Sequence, residues 1–248
     1  MDSFGVTLLS GGLDSTTVTA YAKKRCDHLT ALTFKYGQSH SREVDCARRI
    51  AASMELEHEV LDISFLKDVA WYSALTNPQA FPIPKDTGQI GTSIPITYVP
   101  MRNTIFISLS TAYLESSVLK AIEVDGVNPT SICATLYMAP NSIDYSGYPD
   151  CRPEYFVQMM DTLRFGTKLG TEYAIQIRIE TPIIHMSKAQ IVEMGVELKA
   201  PLAKTWSCYE SDDVPCGNCD SCVLRARGFA EANVQDPALF HLGASQTC

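Results

Sequence analysis

The segment Ser10-Gly11-Gly12-Leu13-Asp14-Ser15 has the composition of a phosphate-binding loop. An apolar run over residues 6–9 precedes it, and a helix-compatible run over residues 16–24 follows it. Two adjacent glycines permit positive φ and let the backbone approach a ligand closely. The first N–H groups of a helix have no partner within that helix, and neighbouring hydroxyls add further donors. A phosphate or pyrophosphate is therefore the expected ligand.

The loop differs from the two commonest nucleotide-binding patterns. It lacks the lysine that follows the glycines of a Walker loop, and it is not G-x-G-x-x-G. S-G-G-x-D-S instead resembles the pyrophosphate loop of the ATP pyrophosphatases; an ordinary glycine-rich turn between a strand and a helix is the alternative. The predicted ATP-binding residues are Leu8, Leu9, Ser10, Gly11, Gly12, Leu13, Asp14, Ser15, Thr16, Thr17 and Val18.

A second pattern with chemical meaning is formed by Cys208, Cys216, Cys219 and Cys222. Four thiolates in one short stretch suit a tetrahedral, all-cysteine zinc site, which has no open position and is structural. The C-x2-C-x2-C spacing also occurs in iron–sulfur proteins, and uncoordinated core cysteines are a third interpretation. The chain has nine cysteines, and without an export signal we expect thiols or metal ligands rather than disulfides.

Composition limits the partners. The chain has 248 residues, a formal net charge of −8 and a pI near 5.1. Because nucleic-acid-binding proteins usually present a basic face, a small-molecule substrate is favoured and direct nucleic-acid binding is not expected. The sequence shows no signal peptide and no apolar run that we judge long enough to cross a bilayer, so a cytoplasmic protein without membrane contact is expected.

Strand-like and helix-like segments alternate along the chain. Strands are predicted at residues 6–9, 29–34, 58–63, 121–124 and 174–179, with helices between them, including 104–119 and 154–167. This alternation indicates an α/β fold with a doubly wound, mainly parallel sheet. We expect an α/β domain over residues 1–200 and a small zinc-binding lobe over residues 201–248. The proline-rich stretch 64–98 is predicted to be a surface excursion, either a mobile lid or a passive loop.

Two basic residues lie where a helix begins. Arg102 precedes Asn103, which is the predicted N-cap of the buried helix, and Lys188 follows Ser187, which forms a capping box with Gln190. Cations at a helix start oppose the helix dipole. Each is either a solvated surface charge or a ligand for phosphate or carboxylate.

Further motifs follow in order: Tyr36-Gly37-Gln38, Tyr98 to Asn103, Asp144 to Arg152, Thr205 to Tyr209 and Pro215 to Cys222. Together with the glycine loop, and over nearly the full length, they resemble the QueC family, the 7-cyano-7-deazaguanine synthases. The S-G-Y-P-D-C-R segment and the cysteine motif are the most specific parts of this resemblance.

The resemblance implies an ATP-dependent ligase of a queuosine-type biosynthetic pathway. It also implies an adenine-nucleotide α-hydrolase-like sheet topology. Such enzymes convert 7-carboxy-7-deazaguanine and ammonia to the nitrile through an acyl adenylate and an amide. ATP with Mg²⁺, structural zinc and a homodimer are also implied. The catalytic candidates are Lys188, Arg102 and Asp14. The substrate-binding candidates are Tyr36, Gln38, His40, Arg102, Asn103, Asp144, Tyr145, Ser146, Gly147, Tyr148, Asp150 and Arg152.

Two departures from the family pattern keep other activities open. Ser39 stands where a basic residue is usual, and the segment from Pro129 to Ile143 is expected to be an insert that reshapes the pocket, docks a partner protein or is passive surface. One alternative is transfer of the activated carboxylate to another amine, such as that of a partner protein. The others are a tRNA-thiolating pyrophosphatase and a non-catalytic nucleotide-binding or zinc module.

Overall fold

The computed structural model describes residues 1–36, 42–81, 94–141, 148–208 and 214–238. Its strands are β1 (Asp2–Leu8), β2 (His28–Lys35), β3 (Glu57–Asp62), β4 (Ile132–Tyr137) and β5 (Ile177–Glu180). Its helices are α1 (Leu13–Lys23), α2 (Arg42–Ser53), α3 (Leu66–Val69), α4 (Arg102–Glu123), α5 (Pro153–Gly166), α6 (Lys168–Glu172), α7 (Lys188–Glu197) and α8 (Asp220–Glu231).

The five strands form one parallel sheet in the order β3-β2-β1-β4-β5. Val6 of β1 lies opposite Thr30 on one side and Leu136 on the other. The order reverses at β1, so the sheet is doubly wound and the crevice between β1 and β4 is its topological switch point. The predicted α/β fold class is confirmed.

Helices cover both faces of the sheet, as the alternation of side chains in β4 shows. Leu136 packs into a cluster with Ile107 of α4, whereas its neighbour Tyr137 packs with Val18 of α1. Successive side chains of a strand point to opposite faces, so α4 and α1 lie on opposite sides. Because the sheet is covered on both sides, consecutive residues are buried in its strands, at 30–34 in β2 and at 134–137 in β4, instead of every second one.

The prediction for the fourth strand is wrong. Residues 121–123 form the last turn of α4, because the helix continues four residues beyond its expected end at residue 119. The fourth strand lies instead in the segment from Pro129 to Ile143, and β4 pairs with both β1 and β5. That segment is therefore not a surface insertion, and its central strand is not available to a docking partner.

Helix α4 corrects two further expectations. It has 22 residues, and an 18-residue window within it has a mean hydropathy of 1.3, so by length and composition alone it could cross a bilayer. In the structure Ile107, Leu114 and Val118 pack into the core instead. Asn103 is not the N-cap, because the helix already begins at Arg102 and Met101 precedes it with φ of 60°.

The C-terminal lobe packs closely on the sheet domain. Leu13 of α1, Val192 of α7 and Phe229 of α8 belong to one buried cluster. Trp206, Cys208 and Cys222 share another with Leu9 and with residues of α2. The boundary at residue 200 stays a prediction.

Candidate active site and metal centre

A cavity of about 390 Å³ opens at the carboxyl ends of β1 and β2, beside the switch point. Loops and helix starts from distant parts of the chain surround it, as expected of an open α/β sheet. The cavity-lining residues that were predicted as site residues are Leu8, Leu9, Ser10, Gly12, Leu13, Asp14, Ser15, Tyr36, Arg102, Asn103, Tyr148, Lys188 and Cys208. The fold thus brings the two isolated basic residues to the glycine loop.

The glycine loop is closed by its own serine hydroxyls. Ser10 Oγ lies 2.9 Å from Ser15 Oγ, and the Ser15 hydroxyl also donates to the Gly12 carbonyl at 3.2 Å. Helix α1 begins immediately afterwards, and Gly12 at its N-cap has no side chain that could cap it. The first N–H groups of α1 are thereby left for an anion in the cavity.

Gly11 holds the shape of this loop. Its φ of +90° suits glycine, and a Cβ at this position would collide with the carbonyl oxygen of Glu43 and lie 3.0 Å from the amide nitrogen of Ala47. The carbonyl of Gly11 accepts a hydrogen bond of 2.9 Å from the Trp206 N–H. The loop is therefore packed between the start of α2 and the C-terminal lobe.

Asp14 and Lys188 form an ion pair at the edge of the loop. Lys188 Nζ lies 3.0 Å from Asp14 Oδ1 and 2.9 Å from Oδ2, and the side chains are 13% and 23% exposed. The capping box of Ser187 and Gln190 is confirmed, and it starts α7 so that Lys188 enters the cavity. The ion pair therefore joins two residues that are 174 positions apart in the sequence.

Arg102 lies beside two tyrosine rings. Its Cζ is 5.9 Å from the ring centroid of Tyr36 and 6.0 Å from that of Tyr148. Burial alone would lower the pKa of the guanidinium, but Tyr36, Tyr148 and Asp150 act against this, and the net pKa is raised above its ordinary value. Arg102 is therefore a permanent cation in an aromatic frame, suited to a planar or anionic ligand.

Asp150 and Asn103 form a buried pair behind Arg102. The Asn103 N–H donates to Asp150 Oδ2 at 3.1 Å, and Asn103 Nδ2 donates to the Asp150 carbonyl at 2.9 Å. Within the described residues Asp150 Oδ1 has no hydrogen-bond partner, and burial raises the pKa of this carboxyl. Burial and the adjacent Asp150 also raise the pKa of Cys151 to about 11, which keeps this cavity-lining thiol protonated near pH 7.

Some predicted site residues in the described part of the chain do not line the cavity. Thr16, Thr17 and Val18 are buried within α1, and the Thr16 hydroxyl donates to the Gly12 carbonyl at 2.7 Å. Arg152 is exposed at the N-cap of α5. Gln38, His40, Asp144, Tyr145, Ser146 and Gly147 lie outside the described residues. Ligand contacts by all of these residues stay predictions.

Some cavity residues were not predicted. Glu43 comes from α2, Trp206 and Ser207 precede the first cysteine of the cluster, and Leu224 and Arg225 come from α8. Trp206 lies in a motif that the family resemblance included, but no spacing rule places a C-terminal lobe beside an N-terminal loop. Its guanidinium neighbour, Arg42, has Cζ 3.9 Å from the Trp206 ring centroid.

The four clustered cysteines form a candidate metal centre. All four Sγ atoms lie within 4.8 Å of one another. The Cys216 N–H donates to Cys208 Sγ at 3.4 Å, and the Cys219 N–H donates to Cys216 Sγ at 3.3 Å. Burial raises the pKa of Cys222, so its thiolate form needs a nearby cation. Four soft sulfur donors around one point fit a structural metal ion with no open position.

A buried arginine attaches this centre to the cavity wall. Arg225 Nε donates to Asp236 Oδ2 at 2.6 Å and Nη2 donates to Oδ1 at 3.0 Å. Its remaining nitrogen donates to the hydroxyls of Thr205 and Ser207. These bonds hold the segment around Trp206 against α8.

The family model described as "Queuosine biosynthesis protein QueC" matches residues 5–233 of the chain. The chain belongs to the QueC family. The resemblance seen in the motifs is thereby confirmed over nearly the whole sequence.

Relatives within the QueC family are similar over their full lengths. The 7-cyano-7-deazaguanine synthase of Thermoplasma acidophilum is 43% identical over 232 residues, which make up 94% of this chain and 90% of the relative. That of Trichodesmium erythraeum is 43% identical over 237 residues, or 94% and 99% of the two chains. Among solved structures, NMN synthetase from Francisella tularensis aligns over 94% of this chain and 87% of that one, with a TM-score of 0.42 and 16% identity.

Proposed function

We propose that this QueC-family chain is an ATP-dependent 7-cyano-7-deazaguanine synthase, which converts 7-carboxy-7-deazaguanine and ammonia to the nitrile. The observation that carries the proposal is the convergence of Lys188 and Arg102 on the cavity of the glycine loop. A triphosphate and a carboxylate need cationic partners at two neighbouring points, and these residues supply them.

The first half of the reaction makes an amide. A carboxylate oxygen of the substrate attacks the α-phosphorus of ATP, and the bond to the β-phosphate oxygen breaks to release pyrophosphate. Ammonia then attacks the acyl carbon, loses a proton and displaces AMP. In the second half the amide oxygen attacks a second ATP in the same way, and loss of AMP from carbon and of protons from nitrogen leaves the nitrile.

The loop and Lys188 act on the phosphates. The N–H groups at the start of α1 and the Ser10 hydroxyl bind the pyrophosphate portion of ATP. Lys188, held in place by Asp14, stabilises the negative charge that grows as pyrophosphate leaves. Preorganised charge of this kind needs no reorientation during the reaction.

Arg102 and the rings beside it act on the other substrate. The Arg102 guanidinium binds the carboxylate and orients its oxygen towards the α-phosphorus. Tyr36 and Tyr148, both near Arg102, provide aromatic surface for the planar deazaguanine ring.

Two metal ions belong to the proposal. Mg²⁺ would accompany ATP and neutralise phosphate charge, and the hydroxyls of Ser10 and Ser15 at the loop are hard oxygen donors that suit it. Cys208, Cys216, Cys219 and Cys222 would hold zinc, which stabilises the lobe that forms one wall of the cavity.

We also propose that the protein is a cytoplasmic homodimer, and that its α/β domain ends and its C-terminal lobe begins at residue 200. Transfer of the activated carboxylate to the amine of a partner protein is less well supported than transfer to ammonia. The segment expected to dock the partner, Pro129 to Ile143, contains the central strand β4. A tRNA-thiolating activity would need reactive cysteines, and the four clustered ones suit a closed metal site.

The test is incubation of the purified chain with 7-carboxy-7-deazaguanine, ATP, Mg²⁺ and ammonium. Pyrophosphate release and the mass of the product are followed. Nitrile formation supports the proposal. No substrate-dependent pyrophosphate release would overturn it, and adenylate without nitrile would favour another amine acceptor.

Variants localise the chemistry. Lys188→Ala and Arg102→Ala are expected to lower kcat/KM by about 10²- to 10³-fold, as for loss of one preorganised charge. Lys168→Ala removes an exposed lysine that pairs with Glu123 at 2.7 Å, and it should leave turnover unchanged. Wild-type turnover in Lys188→Ala would remove this residue from the mechanism.

A further inference from the structure

Gly228 is a buried glycine in the interior of α8, on the side that packs against α7. Glycine is a poor helix former, so an alanine would suit α8 better by itself. A Cβ on Gly228, however, would come within 3.0 Å of both Cβ and Cγ of Lys188, and it would lie 3.2 Å from the backbone carbon of that residue. The absent side chain leaves the space that Lys188 occupies.

The position of this contact along the lysine matters. Cβ and Cγ are the first two carbons of the side chain, so the flexible end cannot relieve a clash by moving alone. Either the Lys188 rotamer changes or the start of α7 moves away from α8. Both responses displace Nζ from Asp14, where it now lies 2.9 Å and 3.0 Å from the two carboxylate oxygens.

A second close approach limits how α7 can respond. Gly195 lies nearer the other end of α7. A Cβ there would lie 2.8 Å from Oγ1 of Thr17 in α1 and 3.1 Å from Cδ2 of Leu202, which follows α7 in the chain. Helix α7 is therefore already in tight contact with α1 at this end. A side chain added at position 228 must then be accommodated at the start of α7, where Lys188 lies.

We propose that Gly228 is a positioning residue for Lys188: the bare turn of α8 supports the lysine stem and directs its ammonium onto Asp14 at the glycine loop. Helix α8 follows directly from Cys219 and contains Cys222, so the same helix links the metal centre to the lysine. The turnover part of the test rests on the proposed function, whereas the contact itself does not.

The test is Gly228→Ala with Gly166→Ala as the matched control. Gly166 ends α5, and a Cβ there would meet no atom within 4 Å. Misplacement of a catalytic group lowers turnover, so Gly228→Ala should reduce kcat by about 10- to 100-fold, with KM for ATP changed by less than about threefold. Gly166→Ala should keep wild-type turnover. Wild-type kcat in Gly228→Ala would overturn the proposal.

A double-mutant cycle separates positioning from general damage. Lys188→Ala removes Cγ and the ammonium, so adding Gly228→Ala to it should change kcat by less than about twofold. The urea midpoint of Gly228→Ala should fall, and Gly228→Ala/Lys188→Ala should recover more than half of that loss. Equal losses from Gly228→Ala in both backgrounds would overturn the proposal.

The stability cycle remains informative in two difficult cases. If Gly228→Ala alone does not accumulate as folded protein, recovery of the fold in the double variant supports the contact, and no recovery contradicts it. If the wild-type chain releases no pyrophosphate, the proposed function fails, but the urea midpoints still test whether Gly228 and Lys188 are coupled.

Discussion

The Trp206 backbone N–H donates a hydrogen bond of 2.9 Å to the carbonyl oxygen of Gly11. Gly11 belongs to the loop at the start of the chain, and Trp206 lies two residues before the first cysteine of the metal cluster. The Trp206 indole Nε1–H also donates to the Cys208 carbonyl at 3.1 Å. The conformation of the glycine loop is therefore tied to the conformation of the segment that carries the four clustered cysteines.

Loss of a metal ligand is expected to affect both sites. In Cys219→Ser the metal content should fall well below one zinc per chain, and the melting temperature should drop by about 10 °C or more. Weakening of the Trp206–Gly11 bond should raise KM for ATP by about fivefold, the equivalent of one backbone hydrogen bond. Metal analysis, thermal unfolding and steady-state kinetics check these three effects.

Cys133→Ser is the control for this variant, because Cys133 is a partly buried free cysteine on β4 outside the cluster. It should retain full metal content and the wild-type KM. Full zinc content in Cys219→Ser would contradict the four-cysteine site. Iron and sulfide in the wild-type protein would show that the site holds an iron–sulfur centre and not zinc.

Gly11→Ala tests the packing of the loop. The substitution combines a φ of +90° with a Cβ that collides with the Glu43 carbonyl oxygen. Gly126 has a similar φ of +77°, but a Cβ there meets no atom within 4 Å. Gly126→Ala should therefore cost about 1–2 kcal/mol of unfolding free energy, from backbone strain alone.

The alanine at position 11 should cost about 1–3 kcal/mol more than Gly126→Ala, because a well-packed site must also move to make room. It should abolish ATP binding measured by calorimetry, whereas Gly126→Ala should bind ATP normally. Equal stability losses in the two variants would mean that the contact with Glu43 relaxes without cost.

Arg225→Met should be strongly destabilising. Arg225 and Asp236 are 9% and 5% exposed and share two hydrogen bonds. Replacing one partner leaves a buried carboxylate unpaired, which costs about 3–5 kcal/mol. Chemical denaturation measures this loss.

Arg227→Met is the matched control on the same helix. Arg227 pairs with Glu231 at 2.6 Å, but both side chains are exposed to solvent. Exposed pairs within a helix contribute little, so this variant should unfold at nearly the wild-type denaturant concentration. Similar losses for Arg225→Met and Arg227→Met would show that burial of the Asp236 pair is unimportant.

The pH dependence of stability should reveal the buried carboxyl of Asp150. Burial raises its pKa above the ordinary value of 3.8. As the pH rises from 3.8 towards the raised pKa, Asp150 loses its carboxyl proton in the unfolded chain but keeps it in the native chain. Stability from this group falls with rising pH in that window. Asp150→Asn has no carboxyl proton to lose, so the free energy of unfolding of this variant should increase relative to that of the wild type as pH rises.

Asp62→Asn should show the opposite sign. Hydrogen bonds from Ser64 and Lys35 lower the pKa of Asp62 to about 2. The native carboxylate therefore adds stability that is present above pH 3.8 and is lost as pH falls towards 2. The loss of unfolding free energy in Asp62→Asn, relative to the wild type, should therefore grow as pH rises through this range. Unfolding measured at several pH values compares both variants, and parallel curves for wild type and Asp150→Asn would contradict the prediction.

Local pattern was sufficient for much of the fold. The alternation of apolar strands and amphipathic helices predicted the parallel sheet, and the Ser187 capping box appeared where the sequence placed it. The errors occurred at β4 and at both ends of α4. At β4 and at the last turn of α4 the apolar runs are short, and a short apolar run is compatible with strand or helix until its neighbours are known.

Spacing along the chain was sufficient for groups that are close in sequence: the loop from Ser10 to Ser15 and the four cysteines. It identified Lys188 as an unusual helix start, because a cation opposes the helix dipole there. It identified Arg102 as a cation whose fork geometry suits a phosphate or carboxylate. It did not indicate that Lys188 meets Asp14, that Trp206 supports Gly11, or that Gly228 packs on the lysine stem. These contacts join residues far apart in sequence, and they depend on how α1, α7 and α8 pack, which no local periodicity encodes.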